Sequence, residues 1–507
     1  VNPIDPVNPP VPDAVPVLLL MACALLPALL SFVLRAADSR LRDGINIAGA
    51  LLKLLVVAWL IAGVSQGERY EVRMAFVPGL DLLLRVDALA LLLVTLSTFL
   101  WLVTTIYAIA YLRGSPDQAR FFGFFNLCVT ATTGIALSGS LLTFFLFYEL
   151  LTLSTWPLVV HKGDAKSLAA GRRYLAYTMT GSVALLAGIV WLEGMTGPVE
   201  FVRPDALDQV DDWALRAVFV LCVGGLGVKA ALVPLHGWLP GAMAAPAPVS
   251  ALLHAVAVVK AGAFGIVRLI YDVYGSERVA ALALGVPLAV LASVTILYGS
   301  IRALQQADIK RRLAYSTVSQ VAYIVLGASL AGPVAAIGGL THLVHQGLMK
   351  ITLFFAAGAL AERLGVQTVS QLDGAGRRMP WTVFAFSIGA LGMIGVPPVA
   401  GFVSKWYLGL GGLAAGQPWV LGVLVLSSLL NAAYFLPLLY RAWFRPPSRT
   451  VADAGDGDGD GMRLEVPWQG LILPALVTAL CSLAAGLFAA LALSPLGWAR
   501  LIVERFY

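Results

Sequence analysis

Three ionisable residues stand where a lipid environment would exclude them. Glu149 lies in LLTFFLFYELLTLSTWPLVV (141–160), Lys229 in FVLCVGGLGVKAALVPLHGWLP (219–240) and Lys260 in SALLHAVAVVKAGAFGIV (250–267). Burying an ionised group costs several kcal/mol or more unless it is paired or hydrated, so charges deep in apolar segments mark functional positions. A carboxylate beside a lysine holds the ammonium charged, and weakening that pairing lets desolvation drive the proton off. Glu149 and Lys229 thus have the chemistry of a switchable proton donor. A static pair holding two helices together uses the same residues.

Further ionisable groups follow in apolar surroundings: His254, His342, His345, Lys350 and Lys405. Histidine titrates near neutral pH and passes protons between waters, whereas lysine needs a perturbed site to do so. His342 and His345 are three residues apart and share a helix face, with Lys350 further round the same helix. Core histidines bonded to hydroxyls or carbonyls are the structural alternative. No nearby Cys, Asp or Glu completes a metal-ligand set, and Cys23, Cys128, Cys222 and Cys481 are scattered singly, so no metal, disulfide or cofactor is expected.

Two stretches carry deliberate breaks. VKAALVPLHGWLP (228–240) contains Pro234, Gly237 and Pro240, and IGVPPVAGFVSK (394–405) contains Gly395, Pro397, Pro398 and Gly401. Proline removes an intrahelical bond, and irregular backbone survives at membrane depth only where protein or a watery cavity receives the freed carbonyls. Lys229 precedes the first break and Lys405 follows the second. Paired interruptions of this kind point to a transporter built of two related units. His236, inside the first break, serves as a lateral relay or caps freed carbonyls.

The elements that position these groups are membrane helices. Of 507 residues, 59% are hydrophobic and only 12% charged, about half the charge of a soluble domain. Mean hydropathy is +0.85. Apolar runs reach the roughly 20 residues a spanning helix needs, and alternating strands would not give continuous runs. Fourteen spans are expected, at about 15–35, 47–65, 85–111, 122–140, 141–160, 174–194, 214–235, 248–270, 279–299, 314–330, 333–361, 381–410, 417–440 and 468–492.

Loops after odd-numbered spans carry Arg40, Arg42, Arg113, Arg120, Lys162, Lys166, Arg172, Arg173, Lys310, Arg311, Arg312, Arg377, Arg378, Arg441, Arg445 and Arg449. These should face the cytoplasm, which puts both termini outside. Loops after even-numbered spans, such as GERYEVR (67–73), are acidic or mixed. The opening VNPIDPVNPPVPDAVP lacks the basic flank of a signal peptide, and the stretch 452–461 reads as a mobile acidic, glycine-rich linker. The net charge of +6 resides in loops, not in a basic patch interleaved with aromatics, so nucleic acid is not an expected partner.

Several of these stretches closely resemble the antiporter-like membrane subunits shared by respiratory complex I and Mrp-type cation/proton antiporters. They are FYELLTLSTWPLVVHKG (147–163), PLHGWLPGAMAAPAPVSALLHAVAVVKAG (234–262), IRALQQADIKRRLAYSTVSQVAYIVLG (301–327), THLVHQGLMKITLFFAAGAL (341–360) and GVPPVAGFVSKWYLG (395–409). The resemblance covers about 85–440. Segments 149–163 and 254–262 look most like the Mrp D-type subunit, with complex I M-type and membrane-bound hydrogenase relatives close behind; subunits N and L are related.

The resemblance implies an all-α polytopic protein of about fourteen transmembrane helices with two inverted five-helix repeats, each containing a broken helix. Residues 1–121 would hold helices one to three, 122–271 and 272–440 the repeats, and 441–507 the linker and final helix. Glu149 and Lys229 would be the coupling pair, Lys260 the central relay leading through His342 and His345, and Lys405 the outlet. Some M-type relatives have glutamate where this chain has Lys405, while others use lysine.

The function expected from these features is proton translocation in a multisubunit Na+/proton antiporter of a bacterial inner membrane, with other membrane subunits as partners and sodium passing elsewhere in the complex. Only Glu149 among the path residues ligates a cation well. The alternatives are the proton-pumping subunit of a redox-driven complex of NADH-quinone oxidoreductase or hydrogenase type, a non-conducting scaffold, and a small-solute carrier with a substrate-sized cavity at the broken helices. The chain carries no nucleotide-binding loop or redox ligand set, so its driving force would come from an ion gradient or from partners.

Overall fold

The computed structural model describes residues 13–34, 38–77, 80–201, 207–330, 332–448, 451 and 470–507. Most of the proline-rich lead, Arg449 and the stretch 452–461 lie outside them.

Apolar sequence becomes helix almost throughout. In chain order the helices are α1 (Val15–Val33), α2 (Ser39–Ser65), α3 (Ala88–Tyr111), α4 (Gln118–Leu137), α5 (Leu141–Val159), α6 (Ala165–Thr196) and α7 (Asp212–Lys229). They continue with the short α8 (Trp238–Gly241), then α9 (Ala247–Ala255), α10 (Val258–Arg268), α11 (Ser276–Ala281), α12 (Gly285–Leu304), α13 (Ile309–Ser329) and α14 (Pro333–Leu364). The last are α15 (Ala375–Arg378), α16 (Pro380–Ile394), α17 (Ala400–Ala414), α18 (Trp419–Phe444), α19 (Leu473–Leu487) and α20 (Pro495–Val503). Side-chain caps fix several starts: Asp87 accepts from the Ala90 amide, Ser140 from Thr143 and Asp308 from Arg311.

Among the described residues, ten helical segments are long and apolar enough to cross a bilayer, which makes this an all-α polytopic membrane protein. The expected spans at 214–235, 314–330, 381–410 and 468–492 fall on α7, α13, the pair α16 and α17, and α19, which are shorter, interrupted or more polar. Arg40 and Arg42 are not in a loop: α2 starts at Ser39, and Arg42 is buried. The apolar windows of Ala247–Tyr274 and Pro333–Leu364 are completely buried, so these two segments form the centre of the molecule. Around them, helices such as α1, α2 and α18 turn large apolar side chains outward, the surface a lipid solvent favours.

The segment expected as a loop around 67–73 forms a hairpin instead. Strands β1 (Glu71–Val77) and β2 (Leu80–Arg85) pair antiparallel. Arg73 and Arg85 both bond Glu200, at 2.7 and 3.3 Å, and Arg85 also bonds Glu71 at 2.7 Å, tying the hairpin to the α6–α7 connection.

Candidate functional site

Both proline-marked breaks are present. α7 ends at Lys229, and residues 230–237, which include Pro234, His236 and Gly237, run as turns; Pro240 lies in α8. Trp238 donates its indole N–H at 2.7 Å to the Val228 carbonyl, which also accepts from the Ala231 amide at 3.1 Å. The second break separates α16 from α17, with Pro397 and Pro398 between them. Gly395 takes φ +92°, a conformation costly to any residue with a side chain. A Cβ on Gly401 would run into the Gly392 carbonyl oxygen, so a glycine there lets the half-helices cross closely.

A third break was not legible in the sequence. The helix carrying Lys260 is interrupted at Val256 and Ala257, without proline, and α10 restarts at Val258. Lys260 therefore sits in the first turn of a half-helix.

Lys229 is fully buried. Its ammonium donates to the Tyr148 carbonyl and lies 3.3 Å from the centre of the Tyr148 ring. Glu149, the next residue, is half-buried and accepts a hydrogen bond from Ser182 of α6. It lies within electrostatic reach of Lys229, yet no ion pair joins the two among the described residues.

Lys260 donates to the carbonyl of Leu343 on α14, the residue after His342 and two before His345. His342 shares a 2.8 Å hydrogen bond between Nδ1 and the Ser404 hydroxyl, and Ser404 precedes Lys405. The Lys405 ammonium donates to the carbonyls of Met393 and Ile394 at 3.0 and 2.9 Å and to the Ser428 hydroxyl at 3.0 Å. Lys350 donates to the Leu313 carbonyl at 3.0 Å and to the Ser316 hydroxyl. The structure thus connects Lys260, His342 and Lys405 through α14 and α17, and holds Lys350 against α13.

Both ring nitrogens of His254 and His345, and both amide atoms of Gln320, are buried without a sound hydrogen bond to the described residues, although the Ala400 backbone lies close to His345. Buried polar atoms of this kind are ordinarily satisfied by water. His254 packs against the Phe354 ring at 4.7 Å. His236 is half-buried against Tyr298.

The sequence pattern does not single out Lys53, a single lysine in GALLKLLVVAWL. It is fully buried and donates to the Thr133 hydroxyl at 2.6 Å. Nor does the pattern single out Arg268, which bonds Asp87 and Asp272. A large cavity, about 1370 Å³, is lined by those three residues and by none of the breaks' residues.

The family model described as "NADH:quinone oxidoreductase/Mrp antiporter, TM" matches residues 138–431. Subunit N of the NADH-quinone oxidoreductase of Desulforudis audaxviator (strain MP104C) is 36% identical over 490 residues, 94% of each chain. A chain of the Mrp complex from Dietzia sp. DQ12-45-1b superposes with a TM-score of 0.82 at 27% identity, over 96% of this chain and 99% of that one. A chain of respiratory complex I from Thermus thermophilus gives 0.79 over 96% and 100%, at 24% identity, a likeness of fold. The model match covers more than half the sequence and the subunit N match nearly all of it. The chain belongs to the NADH:quinone oxidoreductase/Mrp antiporter family of membrane subunits.

Proposed function

We propose that this chain is the proton-translocating membrane subunit of a redox-driven complex of the NADH-quinone oxidoreductase type. Its path runs through Glu149, Lys229, Lys260, His342, His345 and Lys405, with His236, His254 and Lys350 as accessory groups. It is a multi-pass protein of the bacterial inner membrane. In this reading 122–271 and 272–440 are inverted five-helix repeats within a fourteen-span chain, flanked by 1–121 and 441–507, with both termini outside.

One observation carries the reading. Lys229, Lys260, Lys350 and Lys405 are buried at membrane depth, and each ammonium is held by carbonyl or hydroxyl oxygens, with no ion pair among the described residues. An ammonium held only by neutral oxygens is stabilised far less than one beside a carboxylate. A local change in hydration or in a neighbouring charge then decides whether it keeps its proton, which is what a relay requires and a rigid scaffold does not.

The match to a subunit N over 94% of both lengths favours the redox-driven reading over the antiporter reading suggested by segments 149–163 and 254–262. The likeness to the Mrp complex supports a second reading, a subunit of a secondary cation/proton antiporter. Purification from the native membrane with identification of every co-purifying subunit separates them. Iron–sulfur and quinone-site subunits are expected; recovery of small membrane subunits alone would establish the antiporter.

A further inference from the structure

Lys260 and the large cavity share one helix. Arg268 and Asp272 follow Lys260 by eight and twelve residues, so they lie along α10 and its continuation Leu269–Tyr274. Eight residues of helix put Arg268 about 12 Å from Lys260 along the axis. Arg268 is buried and grips two carboxylates at once: Nη1 lies 2.7 Å from Asp87 Oδ2 and 2.7 Å from Asp272 Oδ2, and Nη2 lies 3.0 Å from Asp87 Oδ1. Asp272 is itself only 2% exposed and lines the cavity.

The charge does not balance. Two carboxylates face one guanidinium, and arginine does not give up its proton in proteins, so the cluster carries one net negative charge that a proton can neutralise. The two carboxylates are not equivalent. Asp87 has both oxygens engaged by Arg268 and also accepts from the Ala90 amide at 2.7 Å as the cap of α3. The Arg268 bond engages a single oxygen of Asp272. Asp272 is the carboxylate free to take the proton.

We propose that Asp272, held by Arg268 at the buried end of this cavity, is a proton-exchange site between Lys260 and the aqueous phase on that face of the membrane. The inference rests on the proton-path reading above. In the step, the Lys260 ammonium loses a proton through bridging water, the Asp272 carboxylate becomes a carboxylic acid, and the acid then releases the proton into the cavity; the reverse sequence loads Lys260. Arg268 is a positioning residue that keeps Asp272 at the end of the helix. Arg268 and Asp87 are the charged groups that act directly on Asp272. Glu68, Arg278 and Arg505 line the same cavity.

The test is proton translocation by the complete complex in proteoliposomes, measured against pH on the cavity face, for wild type, Asp272→Asn, Asp272→Glu and, as a control, Lys229→Ala. Asp272→Asn should slow translocation about a hundredfold or more, the range of a lost proton-transfer group, and flatten the pH profile. Asp272→Glu should keep a substantial rate with a displaced profile. A wild-type rate and profile for Asp272→Asn overturns the proposal. So does a loss that is uniform in pH and not rescued by glutamate, which would make the cluster a structural latch. If Lys229→Ala is inactive while Asp272→Asn is normal, only this site fails; if both are normal, the proton-path reading fails with it.

Discussion

Lys405, on one half of a broken span, donates to the Met393 carbonyl of the other half at 3.0 Å. An ammonium thus caps the C-terminal end of α16, where the helix dipole favours a cation. Lys260 occupies the opposite situation, in the first turn of α10, where the dipole opposes one. The two lysines are linked through Leu343, His342 and Ser404, so the linked groups rest on backbone ends of contrary polarity.

Lys405→Met leaves the Ile394 carbonyl without this cap, whereas Met393 keeps the Asn431 side-chain amide at 2.9 Å. Loss of the cap should cost about 1–3 kcal/mol in thermal unfolding of the assembled complex and abolish translocation. Lys405→Arg should keep the cap and the stability, yet still lose transport because arginine holds its proton. Transport by the arginine variant at the wild-type rate would remove Lys405 from the path.

The Tyr148 ring beneath Lys229 stabilises the ammonium by its face, about 2 kcal/mol when desolvated. Tyr148→Phe loses the 3.2 Å hydrogen bond to the Gly225 carbonyl but keeps the ring, and should transport within about twofold of wild type, the scale of a modest net hydrogen bond. Tyr148→Leu removes the ring and should slow transport about tenfold or more. Initial rates of proton uptake into vesicles distinguish them; equal rates would show that the ring is packing alone.

Ser404 ties His342 to the segment that carries Lys405. Ser404→Ala frees Nδ1 and should lower the translocation rate about fivefold, the equivalent of one hydrogen bond of roughly 1 kcal/mol, while leaving assembly unchanged. Ser404→Thr should restore it. Rates for the two variants that do not differ would detach the hydroxyl from the relay.

Outside the membrane, burial pushes the Glu200 carboxyl up, but Arg73 and Arg85 outweigh it and hold it below the ordinary glutamate range. A depressed carboxylate contributes stability above its unfolded value, and that contribution is lost as pH falls through the folded value. Amides of Glu71–Arg85 should therefore lose hydrogen-exchange protection below about pH 4. Glu200→Gln should show weaker protection at neutral pH with no such step. A pH-independent wild-type hairpin contradicts this.

The sequence made the polytopic class readable because each long apolar run needs its own backbone bonding in lipid, and Pro234 and Pro397 located two breaks because proline cannot donate. The interruption at Val256–Ala257 carries no such residue, so no local pattern marks it. The hairpin's strands are neighbours in sequence, but its anchor is not: Glu200, which Arg73 and Arg85 both bind, lies 127 residues beyond Arg73. Lys53 is a single charge in an apolar segment, and its partners, Thr133 of α4 and the Trp101 ring of α3, come from other helices. Arg268 sits near the end of an expected span, where a charge reads as an interfacial anchor, and Asp87 is 181 residues away.

In the proposed path Lys229 carries the translocated proton. The direct measurement is proton translocation by the purified complex in proteoliposomes with Lys229→Ala, alongside subunit content and quinone-reductase turnover. Loss of translocation in a fully assembled complex is the expected result. An assembled Lys229→Ala complex that translocates protons at the wild-type rate would contradict the account.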